Sequence, residues 1–599
     1  MKKERFLAIS VVLLIGALVA AGCSTAQTST IPTSKPPPVT SAAAKPASTA
    51  TTAAATQPQY GGIITAIAGA DPMGFDEAYT ATMMVTPIRL TNEELMMGDW
   101  AKGPEGSNQI DWFTGYLGRI DVETGALAQS WELPDNSTLL FHIRHGVHFA
   151  LNSNSEASKL VAGREVTADD VVFSVNRQWT SPGSFIVTSN LPANRLISVK
   201  ALDKYTVECK VPANVQGPDL FITGDQLKII PPEVVAKYGD MKDWKNSVGT
   251  GPWILTDFVP SSELTYMRNP KYWQMDPLHT QNQLPYADGY KELIIPDQST
   301  QLAAFRTGKI DVMPLGLTWD DFQTIIASNP QTQHVETSGT HPALWGREDK
   351  SLPFNDIRVR QALNMAVNKQ AIVDQYYKGH ADLCSPIYPN NTSYAPFTTP
   401  YAQMPQDVKD LFTYNPDKAK QLLSDAGYPN GFKTKIACTQ TDADYISMVV
   451  SDWAKIGVTL QIQQMENGVF NSVMRGRSFD EMIFKESTSR GFPYKMNEVL
   501  QENLDDVAFY ENQKTRDVYN QIQPYVGKDD TKWEKLLHDI YPFIIAQAEA
   551  VWMPSPYAYK VWQPWLKGYQ GEANVGYDNT YQYLDYIWID QTVKKSMGY

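Results

Sequence analysis

From residue 59 to the carboxyl end, the chain switches repeatedly between two hydrophobic periods. Residues 416–427 follow the helical one: Ala419, Leu422, Leu423 and Ala426 fall at i, i+3, i+4 and i+7, Asn415 is placed to cap, Pro416 suits the first helical position and Gly427 ends the run. Ile446, Val449, Val450 and Trp453 repeat that spacing up to Gly457. Val458, Leu460 and Ile462 then alternate with polar residues, which predicts a strand with one buried face. The same grammar recurs at Thr167-Ala168-Asp169-Asp170, a capping-box-like start before Val171, Val172 and Val175, and at Asp356 before Val359, Ala362, Leu363 and Ala366. Helix followed by strand predicts an α/β layered fold, and no internal repeat is present.

The amino end obeys a different pattern. Lys2-Lys3-Glu4-Arg5 precedes an uncharged apolar run from Phe6 to Gly22, the layout of a secretory signal over residues 1–22. Val19-Ala20-Ala21-Gly22-Cys23 resembles a bacterial lipoprotein box, in which the cysteine thiol takes a diacylglyceryl group, although Leu18 stands further from Cys23 than is usual there. In residues 24–58, 29 of 35 are Ser, Thr, Ala or Pro, with no aromatic and no acidic residue. Such a segment buries no core, so residues 23–58 are expected to be a lipidated cysteine and a solvated tether. No second apolar run reaches membrane length.

Composition narrows the function classes. At 599 residues, with 43% hydrophobic, 19% charged and 11% aromatic positions, the rest of the chain reads as globular and large enough for two lobes. The net charge is -14, and because the first 58 residues carry +4, the folded part carries -18. A nucleic-acid partner is thereby disfavoured. Gly308-Lys309 and Gly527-Lys528 lack the leading glycine of a phosphate-binding loop, with Ala303 and Ile522 in its place. There is no G-x-S-x-G and no H-E-x-x-H, so an exported hydrolase is the rival class rather than the leading one. Cys209, Cys384 and Cys438 form no C-x-x-C pair; a Cys384–Cys438 disulfide and three free thiols fit equally well. His142, His145 and His148 do not share one face of a strand, so no metal site is expected.

An ordered set of blocks carries a resemblance over nearly the whole folded region. Tyr60-Gly61-Gly62, Leu127-Ala128-Gln129-Ser130-Trp131, the stretch Phe141 to Phe149, and Arg164 to Arg177 come first. Val248-Gly249-Thr250-Gly251-Pro252, Asn269-Pro270-Lys271-Tyr272-Trp273 and Ile295-Pro296-Asp297 through Val312 follow. Pro353-Phe354-Asn355-Asp356 through Leu363, Tyr414-Asn415-Pro416, Lys455-Ile456-Gly457-Val458 and Pro564-Trp565 complete the series. Together these resemble the extracytoplasmic solute-binding proteins of the peptide/nickel family, which feed ABC importers. The resemblance implies an α/β, two-lobed, periplasmic-binding-protein-like clamp with an extra subdomain in lobe one. It places lobe one at 59–340 with an inserted subdomain at about 106–205, lobe two at 341–553, and a return to lobe one at 554–599, with crossings near 338–346 and 550–557. It further implies a monomeric receptor without cofactor or catalysis. Held on the extracytoplasmic face by its lipid alone, it would deliver a small molecule to a separate permease and ATPase.

Ligand candidates follow from the same resemblance. Trp345, Phe484 and Trp552 lie near the crossings and cleft loops, and Met96 to Trp112 is an aromatic block suited to a rim over the cleft. In peptide-binding relatives, an aspartate after the strand corresponding to Phe479-Asp480 pairs with the ligand's ammonium; ungapped alignment puts Ser489 there, with Lys485 and Arg490 nearby. A sugar, glycoside, modified peptide or anionic solute is therefore expected in preference to a free-amino peptide. The alternatives are an oligopeptide receptor, with Glu486 taking the aspartate's place in a shifted loop, and a purely structural surface protein. If the amino-terminal reading holds, mass spectrometry of the mature protein finds a diacylated Cys23 as its first residue; an unmodified terminus elsewhere contradicts it.

Overall fold

The computed structural model describes residues 57–79, 86–190, 192–388, 391–487, 496, 499–500 and 506–599. Cys23, Ser489 and Arg490 lie outside the described residues, as do the signal and nearly all of the tether. The body from Gln57 to Tyr599 forms one compact unit.

Lobe one carries a four-stranded sheet in the order Ile63–Ala68, Gly289–Ile294, Glu263–Arg268, Trp253–Val259, whose first pair is parallel and the others antiparallel. A second, wholly antiparallel sheet runs Ala128–Glu132, Thr138–Ile143, Thr206–Lys210, Ser198–Asp203. The helix Ala168–Thr180 packs on this sheet, and its amino end is closed by Asp170, whose carboxylate accepts the Thr167 N–H at 2.9 Å. The carboxyl-terminal residues join this lobe through buried polar ties: Trp565 Nε1 donates to Asp311 at 2.6 Å, Trp253 Nε1 to Asp585 at 3.0 Å, and Arg89 grips Asp578 with two nitrogens at 3.0 and 2.9 Å.

Lobe two is built on a five-stranded sheet in the order Thr459–Met465, Lys433–Thr439, Met482–Ser487, His341–Gly346, Ala550–Trp552. The predicted helix forms over Pro416–Asp425, with Asn415 accepting the Lys418 N–H at 3.0 Å and Gly427 left-handed at φ +93°. The Ile446 pattern becomes the helix Ala443–Ala454, and the alternation after Gly457 becomes the strand Thr459–Met465. Asn364, fully buried on the helix Ile357–Met365, donates to the Ala550 carbonyl and accepts the Trp552 N–H, so one carboxamide seats that helix on the edge strand.

Between the lobes the chain crosses twice, side by side. Gln333–Ser338 pairs antiparallel with Ser555–Trp562, and a few residues on His341–Gly346 pairs antiparallel with Ala550–Trp552. His341 pins this ribbon: its Nδ1 lies 2.7 Å from the Ser385 carbonyl and 3.1 Å from the Ser555 hydroxyl. The lobes also touch away from the ribbon. Ser393 donates to Asp111 at 2.5 Å, and the Asp121 N–H donates to Asp530 at 2.9 Å. Lys378, in a left-handed turn with Gly379, reaches Asp320 at 2.6 Å.

The aromatic block reads differently in three dimensions than in sequence. Trp100 stacks on Tyr586 at 4.4 Å and Trp112 is 1% exposed, so both are core; the residues that reach the cleft are the next two, Phe113 and Thr114. The three histidines meet separate partners: His142 pairs with Glu132, His148 with the Gly163 carbonyl, and His145 stacks on Tyr205. Among the described residues no group of three or more His, Cys, Asp or Glu is placed to hold a metal ion. Cys209, Cys384 and Cys438 are free thiols.

Arg89→Met leaves Asp578 buried without its cation, and the expected loss is about 3–5 kcal/mol in urea unfolding; a loss below about 1 kcal/mol would show that the pair does not hold the carboxyl-terminal segment. Lys378→Glu replaces an exposed attraction by a repulsion across the cleft, worth about 0.2–1 kcal/mol. Solution scattering is expected to show larger mean dimensions for that variant, and adding Asp320→Lys is expected to restore the compact form.

Candidate functional site

A cavity of about 850 Å³ lies where the crossings leave the lobes, bordered by Ser338, Gly339 and Thr340 of one crossing and Pro556, Tyr557 and Ala558 of the other. Lobe one supplies Phe113, Thr114 and the segment Leu315–Asp320. Lobe two supplies Tyr376, Tyr377, Lys378 and His380 from one segment, Thr441, Asp442 and Tyr445 from another, and Phe484 and Glu486 from a strand. That size suits a small organic solute held between two walls.

Local folding explains why these side chains meet. Asp442 stands in the turn between the strand Lys433–Thr439 and the helix Ala443–Ala454, at the carboxyl end of a strand, where α/β sheets gather ligands. Its Oδ2 accepts both the Thr439 hydroxyl at 2.5 Å and the Thr439 N–H at 3.2 Å, which fixes the carboxylate before any ligand arrives. Phe484 and Glu486 are two apart on the strand Met482–Ser487 and so share its cleft-facing side. From Ala443 the helix carries Tyr445 towards the cavity in its first turn, while Ile446, Val449 and Trp453 enter the core.

The walls are aromatic and acidic. Tyr376 and Tyr377 meet edge to face at 4.9 Å, Tyr445 lies 5.4 and 5.9 Å from them, and Phe484 is 5.9 Å from Tyr445. Across the cleft Trp319 stacks on His380 at 3.4 Å. Glu486 opens onto the cavity, yet the surrounding walls raise its carboxyl above the ordinary value; the charge of Asp442 adds to the rise and a hydrogen bond with Thr340 opposes it. Among the described residues lining this cavity, Lys378 is the one lysine or arginine, and it is engaged with Asp320.

A smaller cavity of about 350 Å³ adjoins the first and shares Thr441, Asp442, Phe484 and Glu486 with it. Its other walls come from the helix Asn467–Arg475, through Asn467, Phe470, Asn471 and Met474, and from Thr439 and Lys485.

Of the residues singled out from sequence, Phe484 lines both cavities. Lys485 borders the smaller one, with its ammonium 5.9 Å from the centre of the Trp345 ring. Trp345 and Trp552 are 2% and 1% exposed, meet edge to face at 5.4 Å and line neither cavity. They sit on paired strands of the lobe-two sheet, where a side chain is core. Sequence reasoning missed Trp319, the three tyrosines, His380 and Asp442. Asp442 had a readable signal, an acidic residue between a strand pattern and a helix pattern; the tyrosines, scattered over loops and a helix, had none.

Comparison with known proteins agrees with this architecture. Residues 124–503 match the model for bacterial extracellular solute-binding proteins, family 5 Middle. Heme-binding protein A of Haemophilus influenzae is 27% identical over 497 residues, covering 78% of this chain and 84% of that protein. The dipeptide-binding protein of Escherichia coli is 30% identical over 379 residues, 59% of this chain and 65% of its own length. The ABC transporter-associated periplasmic binding protein DppA from Helicobacter pylori, solved with the peptide STSA, superposes with a TM-score of 0.65 at 22% identity, covering 89% of this chain and 99% of that one. No helix among the described residues is long and apolar enough to cross a membrane. With two lobes joined by a double crossing around a solute-sized cavity, and a family match over more than half its length, this chain belongs to the family 5 extracytoplasmic solute-binding proteins, the receptors of peptide/nickel ABC importers.

Proposed function

We propose that the chain is an envelope-anchored receptor that closes around an organic cation and hands it to an ABC permease. The observation that carries this reading is the pair of carboxylates, Asp442 and Glu486, on an aromatic cavity wall whose lysine is engaged elsewhere. Burial penalises the Glu486 charge and the like charge of Asp442 adds to that cost, which is why the Glu486 carboxyl is raised. A ligand cation relieves both costs, and aromatic faces add attraction for it. Asp382 and Glu336 behind the wall are bonded to Tyr557 and Tyr559, and they deepen the negative field without entering the cavity lining. An anionic or neutral solute, expected from Lys485, Ser489 and Arg490, fits this wall less well, since the Lys485 ammonium lies by the Trp345 ring. The ammonium of a peptide is one such cation, in keeping with the names of the dipeptide-binding relative and the peptide-bound DppA. The lipid on Cys23 and the tether after it would hold a monomer close to its permease.

Calorimetry with a panel of organic cations, anions and neutral sugars tests the reading. A cation is expected to bind, with Glu486→Gln about 10–100-fold weaker, as for loss of a charged hydrogen-bond partner. For a permanently charged ligand, affinity is expected to fall as pH is lowered through the raised titration of Glu486, because protonating it removes the charge that the ligand neutralises. Tight binding of an anion, unchanged or improved by Glu486→Gln, would overturn it.

A further inference from the structure

The cation reading leaves open what surrounds the charged nitrogen, and the two-chambered cavity bears on that question. Asp442 and Glu486 do not sit at the end of a pocket. Both line the large chamber and the small one, together with Thr441 and Phe484, and so mark the junction of the two. A charged group held there has room on either side.

Asp442 Oδ2 already takes both Thr439 donors, which leaves Oδ1, and Glu486 shares its carboxylate with Thr340. Asp442 Oδ1 and the Glu486 carboxylate thus offer acceptors from two sides of the junction, which suits a nitrogen whose N–H donors point in different directions. Phe484 stands at the junction, and Tyr376, Tyr377 and Tyr445 line the large chamber, each ring 4.9 to 5.9 Å from a neighbour in the group. Rings lining a cavity favour a nitrogen that carries carbon, since alkylated ammonium ions shed water more readily and present C–H groups to the rings. The two chambers also differ. The large one is walled by aromatic rings from both lobes, including Phe113 and Trp319, whereas the small one is lined by Phe470 and Met474, by the carboxamides of Asn467 and Asn471, and by Lys485. These asparagines lie four apart on one helix face and have room to bond a ligand amide or hydroxyl.

The geometry points to a dialkylammonium ligand: a secondary nitrogen at the junction between Asp442 and Glu486, a bulky arm in the large chamber, and a short polar arm beside Asn467 and Asn471. This inference rests on the cation reading above and narrows it to amines substituted on both sides of the nitrogen.

Two isomers separate the possibilities. N-benzylglycinamide places a secondary ammonium between an aromatic arm and a carboxamide arm; phenylalaninamide has the same formula with a primary ammonium. In calorimetry at about pH 6.5, N-benzylglycinamide is expected to bind about tenfold more tightly, and Glu486→Gln to abolish most of that preference. Asn471→Leu is expected to weaken N-benzylglycinamide several-fold and to leave N-methylbenzylamine, which lacks the polar arm, unchanged. Equal or reversed preference between the isomers, with Glu486→Gln weakening both, overturns the dialkylammonium assignment while sparing the cation reading. An equal effect of Asn471→Leu on both secondary amines overturns the placement of the polar arm. Failure of every probe to bind at millimolar concentration, or binding indifferent to Glu486→Gln, overturns the cation reading and this inference with it.

Discussion

The antiparallel pairing of the two crossings is the constraint on which everything else in the body depends. Because Gln333–Ser338 runs against Ser555–Trp562 and His341–Gly346 against Ala550–Trp552, the lobes are joined by a double-stranded ribbon rather than by two independent tethers. A ribbon resists twist and shear more than bending, so it restricts the relative motion of the lobes largely to a hinge. Thr340 and Tyr557, which line the cavity at the bend, therefore keep their places relative to both walls. His341, held by a carbonyl and a hydroxyl from separate segments, is the rivet of that bend.

Around that hinge the two lobes solve the problem of buried charge differently. In lobe one, Arg89 neutralises Asp578 and Lys228 pairs with Glu94 deep in the core, an arrangement that fixes where the carboxyl-terminal segment lies. At the cleft wall of lobe two, Asp442 and Glu486 line the cavity without such a partner beside them among the described residues, and in the proposed function an arriving cation supplies it. Stability and recognition thus draw on the same electrostatics with opposite arrangements of partners.

Much of the architecture was legible because each local signal agreed with its neighbours. Asn415, Pro416 and Gly427 bracket a helix whose apolar residues have one period, and the structure places helix and cap there. The site was less legible, because the cavity is made where loops from distant parts of the chain converge. Tyr376 and Tyr445 are 69 positions apart in sequence, and only the folded lobe brings their rings within 5.4 Å. Trp345 and Trp552 illustrate the opposite error of inference: nearness to a crossing in sequence suggested ligand contact, but the two rings pack on each other from paired strands, and large rings at such positions fill the core. Glu486, weighed from sequence as a substitute for a missing aspartate, could be located only when the register of Met482–Ser487 against His341–Gly346 was known, since a shift of one residue would turn it away from the cavity.

The division of the cavity wall between lobes has a consequence for the order of events. Both carboxylates and the ring of aromatics belong to lobe two, while lobe one contributes Phe113, Trp319 and their neighbours as an opposing lid. Capture and closure are then separate acts with separate requirements. A molecule that satisfies lobe two but offers nothing to the lid would occupy the receptor without shutting it. Such a molecule would act as a decoy, competing with the transported solute while never being presented to the permease.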